Sequence, residues 1–576
     1  MSKNTNDDHD ASSPETELDV FASPEEGEQY GSSAYVPVAY DNLDTAPKTD
    51  EYPDTGTGGR YRILDMPRVP KLSHIVGPSA IMLGASLGSG ETLFWPLLIA
   101  ENGWNLYWAF WIGILAQFVL NTEIQRWTLA TGESIFRSFG RVNRFWPWFF
   151  LFAGFVSLGW PGWAASAARV GAAGLGLSDH PVMDWRAFGI LLMVLIWVTY
   201  QLTPLMYNIV ERFQLVLVSL STVSAIALFV VVGSVDQLAN VPAGAASIGT
   251  LPPGSEVAVF LGGLAYAGAG GYLNLSQSLW VREKGYGMGR YQGRIKNPLI
   301  GDDPEHVQRD GFAFRPTEEN IERWKRWWAV ARLEHFLTFV VGLFVVATIM
   351  MSIAAEYAAG TKANAVAMWL VDIVPSLGTT GGVLVYFVLF LSLFTTEYAI
   401  VESFVRNSAD IVYESYGRAA GWSLPQIFWG LLTIFTAWGI LILSLPIAPQ
   451  KPFGLLVLAG AMSGIMMWPY TVLIQIINVK RMSKHTIPGW PRVVAMWLVA
   501  AFFGYFTVVL ASTTLTRDFG LSAFQTSYYV VDSALGGYLL WALLAVVQAY
   551  TMATTARSKF RMADAMDTGE ASKQSS

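Results

Sequence analysis

The chain has 576 residues, 53% of them hydrophobic and only 14% charged, with a mean hydropathy of +0.38 and a formal net charge of −7. That composition excludes a soluble globular domain. Cysteine is absent, which also excludes disulfides, thiolate nucleophiles and thiolate-bound metals.

The first 59 residues contain 14 acidic residues and two lysines, with few large aliphatics. This predicts a disordered acidic tail, bounded here as residues 1–71. It has no basic n-region and no apolar h-region, so it does not read as a signal peptide. Without those 59 residues the chain holds 35 basic and 30 acidic residues, so the net negative charge belongs to the tail.

From residue 72 the apolar residues gather into runs such as Trp104–Leu120, Leu215–Gly233 and Phe336–Ile353. These approach the roughly 18–20 residues that cross a hydrocarbon layer, and without period-2 alternation they must cross it as helices. The fold class is therefore an all-α integral membrane protein. Twelve spans are predicted: 75–100, 104–130, 146–172, 186–204, 211–234, 256–280, 329–355, 382–405, 425–446, 453–478, 491–512 and 527–553. They form a transmembrane domain over 72–556, followed by a short polar tail at 557–576.

Lysine and arginine alternate between the two sides of these spans. Arg137, Arg141 and Arg144 follow span two, and Arg282, Lys284, Arg290, Arg294 and Lys296 follow span six. Lys480, Arg481 and Lys484 follow span ten, and Arg557, Lys559 and Arg561 lie near the C-terminus. The loop from Asp236 to Ser255 has no basic residue, and the loop after span nine has only Lys451. The bias of basic residues towards cytoplasmic loops predicts both termini in the cytoplasm, with the lipid bilayer of a cell membrane as the surrounding partner. Before span seven, TEENIERWKRWWAVARLEHF from Thr317 predicts a helix lying at the cytoplasmic interface, with Trp324, Trp327 and Trp328 at headgroup depth.

Two spans carry glycine clusters in their centres. Span one reads GPSAIMLGASLGSGETLFWPLLIA from Gly77, placing Gly84, Gly88 and Gly90 before Glu91. Span six reads FLGGLAYAGAGGYLNLSQSLW from Phe260, with Gly268, Gly270 and Gly271 followed by Asn274, Ser276 and Gln277. Each glycine lowers helix propensity by about 1 kcal/mol relative to alanine, so both helices can unwind there. The same small residues also suit close helix packing. Their spacing of five spans predicts two inverted five-span repeats, each led by a discontinuous helix with a substrate site at the midplane, plus two extra C-terminal helices. Glu91 is a carboxylate near mid-membrane and thus a candidate functional residue.

Spans one to ten, roughly residues 72–485, resemble the Nramp family of proton-coupled divalent metal transporters, members of the LeuT-like structural class. The family's first helix begins Gly-Pro and carries Asp-Pro-Gly-Asn nine residues later; here Gly77-Pro78 is followed by Gly88-Ser89-Gly90-Glu91. WTLATGESI, Trp127 to Ile135, is similar to the family's ending of span two. The family's Met-Pro-His-Asn-Leu-Tyr-Leu-His on span six falls on Ala267, Gly268, Ala269, Gly270, Gly271, Tyr272, Leu273 and Asn274.

The resemblance implies a substrate or ion site at Gly88, Ser89, Gly90, Glu91, Ala267, Gly268, Gly270 and Asn274. The family's metal ligands are nevertheless replaced. Its Asp, Asn and Met slots hold Gly88, Glu91 and Ala267, and its histidines become Ala269 and Asn274. Without the thioether there is no reason to expect soft-metal selectivity. One carboxylate, Glu91, with backbone carbonyls and Asn274 suits a hard cation such as Mg²⁺, Ca²⁺ or another divalent ion. Magnesium-type relatives of the family also lack the Met.

Glu91 has two other readings, as a group that takes up and releases a proton, and as an acid set against the dipole of the second half-helix. On span eight, Thr395 and Thr396 look like the hydroxyl pair that binds a coupling Na⁺ in LeuT-like transporters, or like threonines bonding back one helical turn. Glu397 is a partner for a cation or for Arg169. The resulting expectation is a secondary transporter of an inorganic cation, coupled to protons or Na⁺. The alternatives are a transporter of a small organic solute and a non-transporting membrane receptor. No HExxH, GxSxG or Walker motif is present, so no enzyme, cofactor or nucleic-acid partner is expected.

Overall fold

The computed structural model describes residues 18–574 apart from 33–34, 179, 182, 253–256, 302, 446–451 and 518, so Lys451 and residues 1–17 lie outside the described residues. The chain is an all-α, multi-pass membrane protein. Among the described residues, eight helices are long and apolar enough to cross a bilayer: Phe145–Gly174, Met206–Val232, Glu318–Tyr357, Gly378–Gly417, Leu424–Ser444, Phe453–Lys480, Trp490–Arg517 and Leu535–Met562. They correspond to predicted spans three, five and seven to twelve. Span four is a 16-residue helix, Trp185–Tyr200.

The remaining spans, one, two and six, depart from simple apolar helices. Span two, Tyr107–Thr131, carries Gln117, Asn121, Glu123, Gln125 and Arg126, all buried. Span one is α-helical over Pro78–Ser86, π-helical over Leu87–Phe94 and α-helical again over Trp95–Asn102. Span six is two helices, Val257–Ala265 and Gly271–Glu283. The glycine clusters thus act differently. Span one stays wound but widens to the π form, a conformation concentrated at functional sites, whereas span six opens fully.

Packing follows the five-span offset expected of inverted repeats. Span one lies against spans five, seven and eight, and span six against spans ten, two and three, the same neighbours displaced by five, and also against span eight. Spans eleven and twelve pack on each other and on span ten, outside this arrangement.

Three expectations are corrected. Residues 18–71 do not form a disordered tail. Arg62–Leu64 pairs in parallel with Phe312–Phe314, and Tyr30, Tyr61 and Met66 are buried. The acidic segment settles because the basic loops offer it partners: Lys484 pairs with Glu51 at 3.0 Å, and Arg141 donates to the carbonyls of Thr55 at 2.7 Å and Gly59 at 3.0 Å. The helix before span seven is not a separate interfacial element, since Glu318–His335 continues through a π-helical turn at Phe336–Val340 into Val341–Tyr357. Trp324 and Trp327 are buried against the rest of the chain, and Trp327 donates to the carbonyl of Pro67 at 2.8 Å. Span twelve starts at Leu535 rather than at 527, and its helix runs to Gln574.

Candidate functional site

Every residue of span one from Gly77 to Ala100 is buried, and so is every residue of span six from Phe260 to Glu283. The two spans meet at their interruptions. Gly90 lies so close to span six that a Cβ placed on it would stand 1.6 Å from the carbonyl oxygen of Tyr266. At the break, Gly268, Gly270 and Gly271 have φ of 126°, 66° and 52°, left-handed values that side chains rarely adopt. These glycines let the chain reverse without a helical hydrogen-bond ladder. Its freed N–H and C=O groups then need other partners, because the membrane interior offers none.

Two side chains supply them. Glu91 Oε1 accepts from the Gly268 N–H at 3.1 Å, and Glu91 Oε2 is buried with no hydrogen-bond partner. Gln117 of span two makes three bonds. Its amide nitrogen donates to the carbonyls of Ala265 at 2.8 Å and Ala267 at 3.0 Å, and its amide oxygen accepts from the Gly270 N–H at 3.0 Å. The Gln117 NH₂ thus stands between two converging carbonyls, the position a cation bound by those carbonyls would take.

Of the residues singled out in the sequence, Gly90, Glu91, Ala267, Gly268 and Gly270 come together here, while Gly88 faces Ser392 and Thr396 of span eight. Ser89 is buried beside them, and its hydroxyl has no partner. Asn274 instead donates from Nδ2 to the Tyr470 hydroxyl of span ten at 3.1 Å, and no hydrogen bond among the described residues joins it to the break.

The span-eight cluster divides three ways. Thr396 donates to the carbonyl of Gly84 at 2.8 Å and accepts from the Gly88 N–H at 2.8 Å, so one hydroxyl fastens span eight to span one. Thr395 donates to Gln214 of span five at 2.5 Å. Glu397 accepts from the N–H of Ala164 at 3.1 Å, at the start of the helix Gly162–Gly174, where a carboxylate also meets the positive end of the helix dipole. Arg169 lies over the ring of Trp185 at 4.7 Å and is not the partner of Glu397.

Gln117 was not picked out in the sequence. It sits inside the run Trp104–Leu120, which reads as apolar, and the available signal was a carboxamide in mid-span with no charge to mark it. No group of three or more His, Asp or Glu residues able to hold a metal occurs among the described residues, so a cation here would rest on Glu91 and backbone oxygens.

At the end of the bundle that carries the basic loops, three consecutive residues closing span six form buried ion pairs. Arg282 pairs with Asp410 at 2.9 Å, Glu283 with Arg406 at 2.8 Å, and Lys284 with Glu211. At the other end, Phe94, Tyr266, Trp163 and Phe453 form a cluster of tilted and edge-on rings with centroid distances of 5.3–6.0 Å. The break is closed on both sides.

No protein-family sequence model matches the chain, and no curated protein sequence matches it. Solved structures do match. A point mutant of the manganese transporter from Eremococcus coleocola superposes with a TM-score of 0.56 at 9% identity, over 86% of this chain and 95% of that one. The same transporter in complex with an aromatic bis-isothiourea substituted compound gives 0.55 at 10% identity, with the same coverage. Mhp1, a nucleobase-cation-symport-1 family transporter, gives 0.46 at 11% identity over 89% of this chain and 99% of its own, too low to add weight. At such identities the likeness speaks for the fold alone, and that fold is the one in which the manganese transporter is built.

Proposed function

We propose that the chain is a secondary transporter of a small inorganic cation, working by alternating access, with its basic loops in the cytoplasm. One observation carries this reading: Glu91, wholly buried, directs one carboxylate oxygen to the opened backbone of span six and leaves the other without a partner. A carboxylate in that setting calls for a proton or a cation. The carbonyls of Ala265 and Ala267, freed by movement of Gln117, would complete an oxygen-only shell suited to Mg²⁺, Ca²⁺ or a similar hard divalent ion.

The cycle follows from the contacts. Gly90 against Tyr266 leaves no room for spans one and six to slide, so the pair moves as one body. Opening towards the cytoplasm must break the ion pairs that end span six, and opening outward must part the aromatic cluster. Thr395 and Thr396 already have hydrogen-bond partners, which favours protons over Na⁺ as the coupling ion. An organic anion is the less supported cargo, since the N–H groups of Gly268 and Gly270 are already held by Glu91 and Gln117.

The test is uptake by the full chain in proteoliposomes, with Mg²⁺, Ca²⁺ and Mn²⁺ offered separately. Glu91→Gln keeps the size and the hydrogen bond from Gly268 but removes the charge, so it should fold and lose uptake. Uptake equal to the parent would overturn the assignment.

A further inference from the structure

A second buried carboxylate lies well apart from Glu91 in the sequence and is not used in the cycle above. Glu334 and His335 sit at the start of span seven, 1% and 0% exposed, against the first turn of span one. Glu334 accepts from the Ser79 N–H at 3.3 Å and from the Ser79 hydroxyl. The same hydroxyl lies 2.9 Å from His335 Nδ1. The imidazole is stacked between Phe118, at 5.8 Å, and Phe339, at 4.7 Å, and its Nε2 is buried with no partner.

While Glu334 is ionised, the hydrogen-bond order sets the protons. Ser79 has one hydroxyl proton, and it goes to Glu334. Its oxygen can then only accept from His335, so Nδ1 carries the ring proton and Nε2 keeps a free lone pair. A proton arriving at Nε2 can pass along this chain. Nε2 gains it, Nδ1 gives its proton to Ser79 Oγ, and Ser79 gives its own to Glu334. The result is a neutral carboxylic acid and a neutral imidazole of the other tautomer, with one proton added in all. The carboxylate that held the foot of span one has then lost its charge and one acceptor site.

We propose that Ser79, Glu334 and His335 form a proton-binding latch, which holds the basic-loop end of span one to span seven while Glu334 is ionised and releases it on protonation. The proposal rests on the alternating-access reading, though not on Glu91 as the cargo ligand. The titratable groups around the latch are Lys284 and Tyr286 just beyond span six, and Tyr207 and Glu211 of span five. Lys284 is engaged by Glu211, and no ion pair to Glu334 occurs among the described residues. Span two contributes the ring of Phe118 and span one the Ser79 hydroxyl.

The absence of cysteine allows a direct test on the full chain. Gln277→Cys places a reporter on the buried second half of span six, and its reaction with a hydrophilic maleimide in proteoliposomes reads opening at the basic-loop end. In the otherwise unchanged protein, labelling, expressed throughout relative to that of the same cysteine in the detergent-unfolded chain at the same pH so that the loss of reactive thiolate in acid cancels, should accelerate as pH falls from about 8 to about 5.5, across the ordinary ranges of His and Glu. At its steepest the change should approach about ten-fold per pH unit, the slope for one proton. Adding Glu334→Gln should make labelling fast at every pH. His335→Phe keeps the stacking but removes both nitrogens, and should weaken the response to acid. Labelling of the parent that ignores pH would overturn the latch, as would a parent-like response in Glu334→Gln or, should that variant not fold, in His335→Phe. If Glu91→Gln transports normally while labelling follows Glu334, the cargo site fails and the latch stands. If uptake is lost in Glu91→Gln while Glu334→Gln labels like the parent, the reverse holds.

Discussion

Truncating Gln117 to alanine asks how much of the break in span six depends on one side chain. The substitution leaves the carbonyls of Ala265 and Ala267 and the N–H of Gly270 without the partner they have now. A buried backbone group without a partner costs about 1–3 kcal/mol, so the loss should be about 3 kcal/mol at the least and up to about 9. The same change frees two carbonyl oxygens for a cation. In the parent a cation must first displace the Gln117 amide, which weakens its apparent affinity. Unfolding of the purified full chain, measured with and without Mg²⁺, Ca²⁺ or Mn²⁺, should therefore show Gln117→Ala as the less stable protein and the one that gains more from the cation. At about a hundred times its dissociation constant, the ion returns about 2.7 kcal/mol. An alanine variant within about 0.5 kcal/mol of the parent, the range of an inert surface change, would refute the reasoning, and so would one that gains less from every cation.

Three further substitutions follow from the contacts. Gly90→Ala drives a methyl into the Tyr266 carbonyl, 1.6 Å from the Cβ position, so it should lower folded yield in size-exclusion chromatography and abolish uptake, whereas Ser89→Ala should do neither. Thr396→Val loses both bonds to span one and should cost about 2–6 kcal/mol in thermal unfolding, while Thr396→Ser should retain most of the stability. Arg406→Leu strands two buried carboxylates, Glu283 and Glu402, and should cost about 3–5 kcal/mol, with Glu283→Gln milder in the same measurement.

The sequence by itself determined the class of the fold, the order of twelve spans and the two places where the pattern fails. These are properties of composition and periodicity, because burying a peptide backbone in lipid permits a helix and little else. It also pointed to Glu91 and to glycines 88, 90, 268 and 270, since a mid-span carboxylate, a close approach of two helices and left-handed backbone all leave a mark in residue type. Contacts decided the rest. Glycine density is alike in spans one and six, yet one winds into a π-helix fastened by Thr396 and the other opens, and nothing local to either run says which. An acidic segment reads as disordered until the basic loops that hold it are placed beside it. Asn274 turned to span ten and Glu397 to the helix beginning at Gly162, because a polar group on a helix takes the partner its face meets. Gln117 was hidden for the same reason, since an amide in an apolar run becomes part of a site only when the broken backbone of another span stands opposite it.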